Sequence, residues 1–263
     1  MVGPAITAVV IARDEALHLG QCLDALRWAD DRLVVLDSRT TDRSADIARE
    51  RGVRVVVNDF STFPAQRNAA LGLVLTPWLL FVDADERTTA FFAAELRSAI
   101  ARTDDAAPVG YWVPRRNFIW SGWIQHGGWF PDRQLRVLRV GRACYDEARD
   151  VHELVLLDGD TGRLRETLIH YNYDGLHQFL AKQRLYTTLE AQRLARNGIR
   201  AKPHNFVLQP LREFRRRFVE LQGYHDGWRG LTLASLLSWY CFVTYVKLAH
   251  QSCSAAEYRR NRR

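Results

Sequence analysis

The sequence predicts an α/β fold with a mostly parallel central sheet and a helical, basic C-terminal extension. Three observations predict it: strand-like and helix-like segments alternate through the first hundred residues, polar and acidic groups recur where the apolar strands end, and positive charge accumulates after residue 181. The segment "AITAVVIA" (5–12) is continuous and β-branched, as expected of a strand buried on both faces. "EALHLGQCLDALRWA" (15–29) has helical spacing, "DRLVVLD" (31–37) is a second buried strand, and "TTDRSADIARERG" (40–52) reads as a capped helix ending at Gly52. "VRVVV" (53–57) gives a third strand, "FPAQRNAALGLVL" (63–75) a helix, "WLLFVDAD" (78–85) a fourth strand and "TTAFFAAELRSAIAR" (88–102) another helix. Strands joined by helices of that length imply right-handed βαβ units with helices on both faces of the sheet.

Ligands of such sheets bind outside the carboxyl ends of the strands. Arg13-Asp14-Glu15, Asp37-Ser38 and Asp83-Ala84-Asp85-Glu86 fall at three of those ends and are expected to share one crevice. No G-x-G-x-x-G follows the first strand and no G-x-x-x-x-G-K-[ST] occurs, so neither the usual dinucleotide fold nor a P-loop is supported. If strand geometry continues through residue 85, Asp83 and Asp85 project to one side. Two such carboxylates repel each other and suit Mg²⁺ or Mn²⁺, which in turn bind diphosphate. The competing reading is a solvated turn whose acids cap the helix beginning near "ERTTAFF".

After Asp105 the chain becomes rich in aromatic residues, glycine and arginine, and from Leu176 it turns helical. The expected organisation is one domain at 1–175, with halves at 1–105 and 106–175 of which the second faces a partner, followed by a helical membrane-associating region at 176–263. Residues 1–181 carry 21 basic and 25 acidic side chains, whereas 182–263 carry 16 and 5. The excess calls for an anionic partner, either a membrane surface or nucleic acid. In "PLREFRRRFVELQ", Leu211, Phe214, Phe218 and Leu221 line one face, and Arg212, Arg215 and Arg216 occupy much of the other. The uncharged run Gly230 to Val246 is read as a core or interfacial helix rather than a bilayer span. A nucleic-acid module rests on charge alone, without any helix-turn-helix, RNA-recognition or zinc-finger signature, so no nucleic-acid partner is expected. Four scattered cysteines without a C-x-x-C pair, and an N-terminus without a basic leader, predict free thiols and a cytoplasmic location at the inner face of the membrane.

Taken together, "AVVIARDE", "VVLDSRTTDRSADIA", "FPAQRNAAL" and "WLLFVDADE", in that order, resemble glycosyltransferase family 2, which has the GT-A nucleotide-sugar fold. With "PRRNF", "GWFPDRQLRVLR", "VHELV" and "LIHYNY", the chain is similar to the subgroup of lipopolysaccharide core β-glucosyltransferases along nearly its whole length. The resemblance implies a catalytic domain at 1–175 with a nucleotide-binding half at 1–105 and an acceptor-facing half at 106–175, in which Asp37 contacts the nucleobase, and Asp83 and Asp85 hold metal and diphosphate, chiefly through Asp85. The family's usual D-S-G-S-T-D is here "DSRTTD", with Arg39 replacing a flexible glycine. An inverting transfer needs a carboxylate near the acceptor hydroxyl. Glu153 in "RDVHEL" is the first candidate because the subgroup has the same His-Glu pair, with Asp150 and Asp132 as alternatives. His152 is a candidate third metal ligand or orients the glutamate, and His170 is a weaker candidate. Arg67 is read either as a partner of phosphate oxygens or as a surface helix arginine. Glu15 either helps hold base or ribose or caps the first helix, and Arg13 completes the donor-binding set.

Trp120, Trp123, Trp129 and Phe130, with His126, offer flat faces for sugars, or fill the core. Tyr173 is read as core. Arg115, Arg116 and Arg133 are candidates for phosphorylated sugar or donor. The implied activity is metal-dependent transfer of a sugar, from a UDP-sugar, to a lipid-linked saccharide such as lipopolysaccharide core. A protein side chain or polyprenyl phosphate is the alternative acceptor.

Overall fold

The computed structural model describes residues 3–102, 107–147, 154–173 and 175–260, without the side chains of 252–260. Two compact units divide the chain: Met1–Arg116 with Asp132–Tyr171, and Asn117–Pro131 with Asn172–Arg263.

In unit one the chain runs β1 (Ile6–Ala12), α1 (Ala16–Ala25), β2 (Asp31–Asp37), α2 (Ser44–Glu50), β3 (Arg54–Asn58), α3 (Phe63–Leu73), β4 (Trp78–Asp83), β5 (Glu86–Arg87) and α4 (Ala90–Ile100). The sequence-predicted parallel strands lie in the order β3-β2-β1-β4. The order reverses beside β1, so a crevice opens at the carboxyl ends of β1 and β4. Register places Ile11 opposite Asp83 and Ala12 opposite Leu36.

Period-two alternation then sorts the side chains into two cores. Ile6, Ala8, Val10 and Ala12 of β1 join Trp78, Leu80 and Val82 of β4 against Leu19 and Leu23 of α1 and Phe92 and Leu96 of α4. Val9, Leu79 and Phe81 face the other way, onto Ala70 and Leu71 of α3. Burial on both faces explains why β1 and β4 read as unbroken apolar runs. Local chemistry fixes the helix starts. Thr62 accepts the Ala65 N–H at 3.2 Å with Pro64 in the first turn of α3, and Thr89 accepts the Phe92 N–H at 3.1 Å at the start of α4.

Beyond β4 the sheet continues with antiparallel neighbours. β6 (Gly110–Ile119), β7 (Gly122–Trp123), β8 (Asp132–Arg139), β9 (Ala143–Tyr145), β10 (Val155–Leu157), β11 (Thr161–Arg163) and β12 (Leu168–Tyr173) follow in sequence. β8 pairs with β4, β6 with β8, and β12 with β5, while β9 and β10 form a separate ribbon. Two registers matter for the site: Arg115 lies opposite Asp132, and His170 opposite Glu86.

Unit two is largely helical: α5 (Leu176–Arg196), α6 (Asn205–Arg215) and α7 (Gly227–Arg260), with a π-helical turn Arg216–Glu220 and a 3₁₀ turn Gly223–Asp226 between the last two. Phe179, Leu233, Ile119, Ile124 and Tyr173 form its core, with Trp120 and Trp129 packed against it. Tyr173 is therefore a core residue, as read from sequence. Gly230 passes so close to Gly223 that a Cβ would lie 1.8 Å from the Gly223 carbonyl oxygen, and only glycine fits. Asp226 accepts the backbone N–H groups of Gln125 and His126 at 3.1 and 2.8 Å, fixing the 3₁₀ turn to the segment 117–131.

The run Gly230–Val246 lies within α7. Gly223–Gln251, with mean hydropathy 1.3, is long and apolar enough to cross a membrane by length and composition. Leu233, Ala234, Thr244 and Leu248 are nevertheless buried, and Ser238 donates to the Pro210 carbonyl of α6 at 2.7 Å. A different face is covered on α6: none of its residues is buried, and Val207, Leu208 and Leu211 are exposed.

Phe81 is fully packed one turn of alternation before Asp83. Phe81→Ala is expected to lower unfolding free energy by about 3–5 kcal/mol through loss of buried contacts and a residual cavity, read from the midpoint of urea denaturation.

Candidate functional site

β4 ends at Asp83, and Ala84-Asp85 form a turn before β5. The condition for Asp83 and Asp85 to act as a strand-borne pair is therefore not met, and the turn sends them to different partners. Glu86, at 0% exposure, anchors the turn: its Oε2 accepts the Asp83 N–H at 2.9 Å. Arg87 donates to the carbonyls of Ala84 and Glu86 at 2.8 and 2.7 Å and to that of His18 in α1 at 3.0 Å. The Asp85 carbonyl accepts the Tyr171 N–H at 2.9 Å. These bonds, together with the cap supplied by Thr89, replace the reading in which the acidic run caps α4.

Asp83 sits in a guanidinium cage. Arg136 of β8 donates to both of its oxygens, through Nη1 at 3.1 Å and through a shorter Nη2 bond. Arg115 Nη1 lies at 3.8 Å and Arg67 Nη2 at 4.0 Å. Desolvation acts to raise the carboxyl's pKa, and the charges of Arg136, Arg67 and Arg115 overcome it, holding Asp83 well below the usual carboxylate range. Charge balance is kept because Arg115 also pairs with Glu86 at 3.2 Å and is held by the Asp132 carboxylate across the β6–β8 register, while Arg136 reaches Glu86 at 3.5 Å. Asp132, a sequence candidate for the base, is committed to Arg115, and its other oxygen accepts from Gln134 at 2.9 Å.

Arg67 is 12% exposed, with its guanidinium 4.9 Å from the Phe81 ring centre and 5.7 Å from that of Tyr145. That position excludes the surface-helix reading and leaves a cation held at the carboxyl ends of the strands. Asp85 faces a different partner: its Oδ2 lies 3.4 Å from His170 Nε2 on β12, and His170 is itself buried.

At the end of β2 the buried Asp37 is met by the residue that replaces the usual glycine. Arg39 donates through Nε at 2.9 Å and Nη2 at 2.6 Å, and its backbone N–H reaches Asp37 Oδ1 at 2.9 Å. The guanidinium lies 5.3 Å from the Phe60 ring centre, and Arg13 Nη1 stands 3.9 Å from the same carboxylate. Asp14, at φ 53°, turns the chain after β1 and accepts the N–H groups of Thr41 and Asp42 at 2.8 and 3.3 Å. Asp42 in return accepts the Ala16 N–H at 2.8 Å, and Ser44 Oγ the Glu15 N–H at 2.9 Å. The first helix is thus capped by Asp42; Glu15 occupies the N-cap position without a side-chain cap bond.

The structure therefore brings together Arg13 with Asp37, and Arg67, Asp83 and Asp85 with the sequence candidates Arg115 and His170 and with Arg136 and Glu86. Arg136 and Glu86 carried no assignment from the sequence; their signal was a charged residue set inside an apolar strand ("LRVL") and a third acid directly after Asp83 and Asp85. Glu153, Asp150 and His152 lie outside the described residues. Trp120 stacks on Trp228 at 5.9 Å and 5°, and Trp123 meets Phe130 edge-on at 5.6 Å, both as packing within unit two.

The residues fit a divalent cation in part. Asp85 and His170 form an oxygen and nitrogen donor pair of the kind that shares a metal with phosphate oxygens. Asp83 does not fit as a ligand, since Arg136 engages both of its oxygens. No group of three or more His, Cys, Asp or Glu side chains suited to a metal occurs among the described residues.

Asp37 is pushed down to about 2, chiefly by the Arg39 side-chain hydrogen bonds, which outweigh desolvation. Its folded value lies below the unfolded one of about 3.9, so the contribution is complete above roughly pH 4 and fades as pH falls through about 2. Arg39→Ala should be less stable than the parent by a constant margin at neutral pH, and the two urea midpoints should converge between about pH 4 and pH 2.

The family model for Glycosyl transferase family 2 matches residues 7–146. The lipopolysaccharide core biosynthesis glycosyltransferase LpsC of Rhizobium meliloti (strain 1021) is 27% identical over 254 residues, covering 92% of this chain and 91% of LpsC. An uncharacterized glycosyltransferase of Rickettsia felis is 21% identical, covering 92% and 89%. Among solved structures, S. aureus TarS 1-349 aligns at 12% identity over 95% of this chain and 92% of that one, with a TM-score of 0.47. Two cores around a sheet ordered β3-β2-β1-β4, with acids and arginines gathered at its carboxyl edge, are the GT-A architecture, and by the match over residues 7–146 the chain belongs to glycosyl transferase family 2.

Proposed function

We propose that the chain transfers a sugar, with inversion, from a UDP-sugar to a lipid-linked saccharide such as lipopolysaccharide core. The observation that carries the reading is the Asp85–His170 pair beside the caged Asp83 in a family 2 chain. Asp85 and His170 would hold the cation, and the mixed donor set favours Mn²⁺ over Mg²⁺. The metal, when bound, neutralises charge on the departing diphosphate. Arg67 adds a fixed positive charge on the same side, and Asp37 with Arg13 forms the base-proximal end. The acceptor hydroxyl attacks the anomeric carbon and gives its proton to Glu153, with Asp150 as the alternative, as the bond to the β-phosphate breaks. Asp83 serves this reading as a positioning residue rather than a ligand.

Similarity to LpsC over nine-tenths of both chains supports the acceptor class. Peripheral binding to an anionic membrane follows from α6, where Leu211 is 60% exposed and Val207 and Leu208 stand outward beside the exposed Arg212 and Arg215. This assigns the helical region 176–263 to membrane association, and residues 1–175 to catalysis.

Calorimetric titration of UDP in the presence of Mn²⁺, repeated with chelator, tests the donor site. Binding should depend on the metal and fall in Asp85→Ala, with turnover reduced on the order of 100-fold or more. Undiminished turnover in that variant would remove Asp85 from the mechanism. For the membrane, Leu211→Glu should weaken sedimentation with phosphatidylglycerol vesicles by about tenfold, the effect of withdrawing one large apolar side chain. Unchanged sedimentation would sink the role of α6.

A further inference from the structure

Unit two contains a cleft of about 310 Å³ between α5, α6 and α7. Gln183 of α5 lines it and is 8% exposed, yet its side-chain amide has no hydrogen-bond partner among the described residues. The residue is buried but its amide atoms keep access to the open cleft, where a ligand's hydroxyls can replace water. Gln209 of α6 and the hydroxyls of Tyr186 and Tyr240 line the same cleft, also without partners among the described residues. The α7 face adds apolar surface from Leu237.

Charge narrows the ligand class. Glu190 and Glu213 line the cleft, each already held by an arginine on its own helical stretch, Arg193 and Arg217 respectively. No lining residue is a lysine or arginine. Lys247, the nearest cation on α7, spends its three donors on the Arg184 carbonyl at 2.9 Å and the hydroxyls of Thr187 and Thr188 at 2.8 and 2.7 Å. A phosphate would therefore meet carboxylates and find no cationic donor. An aliphatic chain would leave the amides unsatisfied. Tyrosine faces and amides that both donate and accept match the alternating C–H faces and hydroxyls of an uncharged sugar ring.

We infer that the cleft between α5, α6 and α7 is a saccharide subsite that holds an uncharged part of the acceptor glycan. The inference rests on the reading of the acceptor as a lipid-linked saccharide. The subsite uses Gln183, Gln209 and the Tyr240 hydroxyl to read hydroxyls, and the rings of Tyr186 and Tyr240 to receive a ring face.

Saturation-transfer NMR on the full chain tests it, with methyl β-D-glucopyranoside and lactose as probes, and octanoate and inorganic phosphate as competing chemistries. At least one saccharide should receive saturation in the parent chain and equally in Asp85→Ala, because the cleft owes nothing to the donor site. Gln183→Leu and Tyr240→Phe should each weaken that binding by about fivefold, the equivalent of one hydrogen bond. Thermal melting checks both variants, and Gln209→Leu, on a helix with no buried residue, provides the comparison should Gln183→Leu fail to fold. Absence of saccharide saturation, an unchanged signal in the folded variants, or saturation of octanoate or phosphate instead would overturn the assignment. UDP titration of the same samples reads the donor site separately, so loss of nucleotide binding with retained saccharide binding would fault the transfer reaction and leave the subsite standing.

Discussion

Everything at the carboxyl edge of the sheet depends on the ion network around Asp83 and Glu86. Glu86 is fully buried, Arg136 nearly so, and the pairs among Asp83, Glu86, Arg115, Arg136 and Asp132 join β4, β5, β6 and β8. Removing one member of such a buried set typically costs about 3–5 kcal/mol, because the partner keeps its charge and loses its compensation. The network stabilises less by net attraction than by forbidding other arrangements. It fixes where β4 stops, and so it fixes the turn that carries Asp85.

The division of labour between Asp83 and Asp85 follows. A pair of free carboxylates on one strand face would repel and bind a cation symmetrically. Here three arginines neutralise the first carboxylate, and the second is left opposite a histidine on a different strand. The site is thereby polarised before any ligand arrives: a cationic cluster on one side of the turn and an acid-imidazole pair on the other. Such fixed charges require little reorganisation when a diphosphate enters, which is the condition under which electrostatic stabilisation is strongest.

The parallel half of the fold was legible because two-sided burial forces long apolar strands, and the intervening helices carry their caps in sequence, as at Thr62 and Thr89. That Arg13, Asp37 and Asp83 fall at the same edge of the sheet was legible for the same reason, since strand ends of a parallel sheet point one way. What escaped depends on long-range register. Arg136 itself and the partnership of the candidate His170 with Asp85 depend on β8 and β12, strands whose antiparallel pairing with β4 and β5 brings residues more than fifty positions away beside Asp83 and Asp85. No local pattern encodes that distance. The turn at Ala84-Asp85 was missed because the extended run hid a stop that only the buried Glu86 imposes. For the aromatic cluster the sequence left two readings open, and Trp120 packs on Trp228 and Phe179 as the core-filling one expects.

Arg39 shows how one substitution alters the logic of a strand end. Glycine at this place would leave the Asp37 carboxylate open to the crevice; arginine lays a planar fork across it and rests on Phe60. The fork is half exposed, so its hold on Asp37 is screened on the solvent side. Arg13 also stands within 4 Å of Asp37 and pairs with Asp14 at 3.6 Å, so two arginines balance two carboxylates at this strand end. On the proposed reading, an incoming base exchanges for the Arg39 fork while the phosphates reach the fixed cation Arg67 at the mouth of β4.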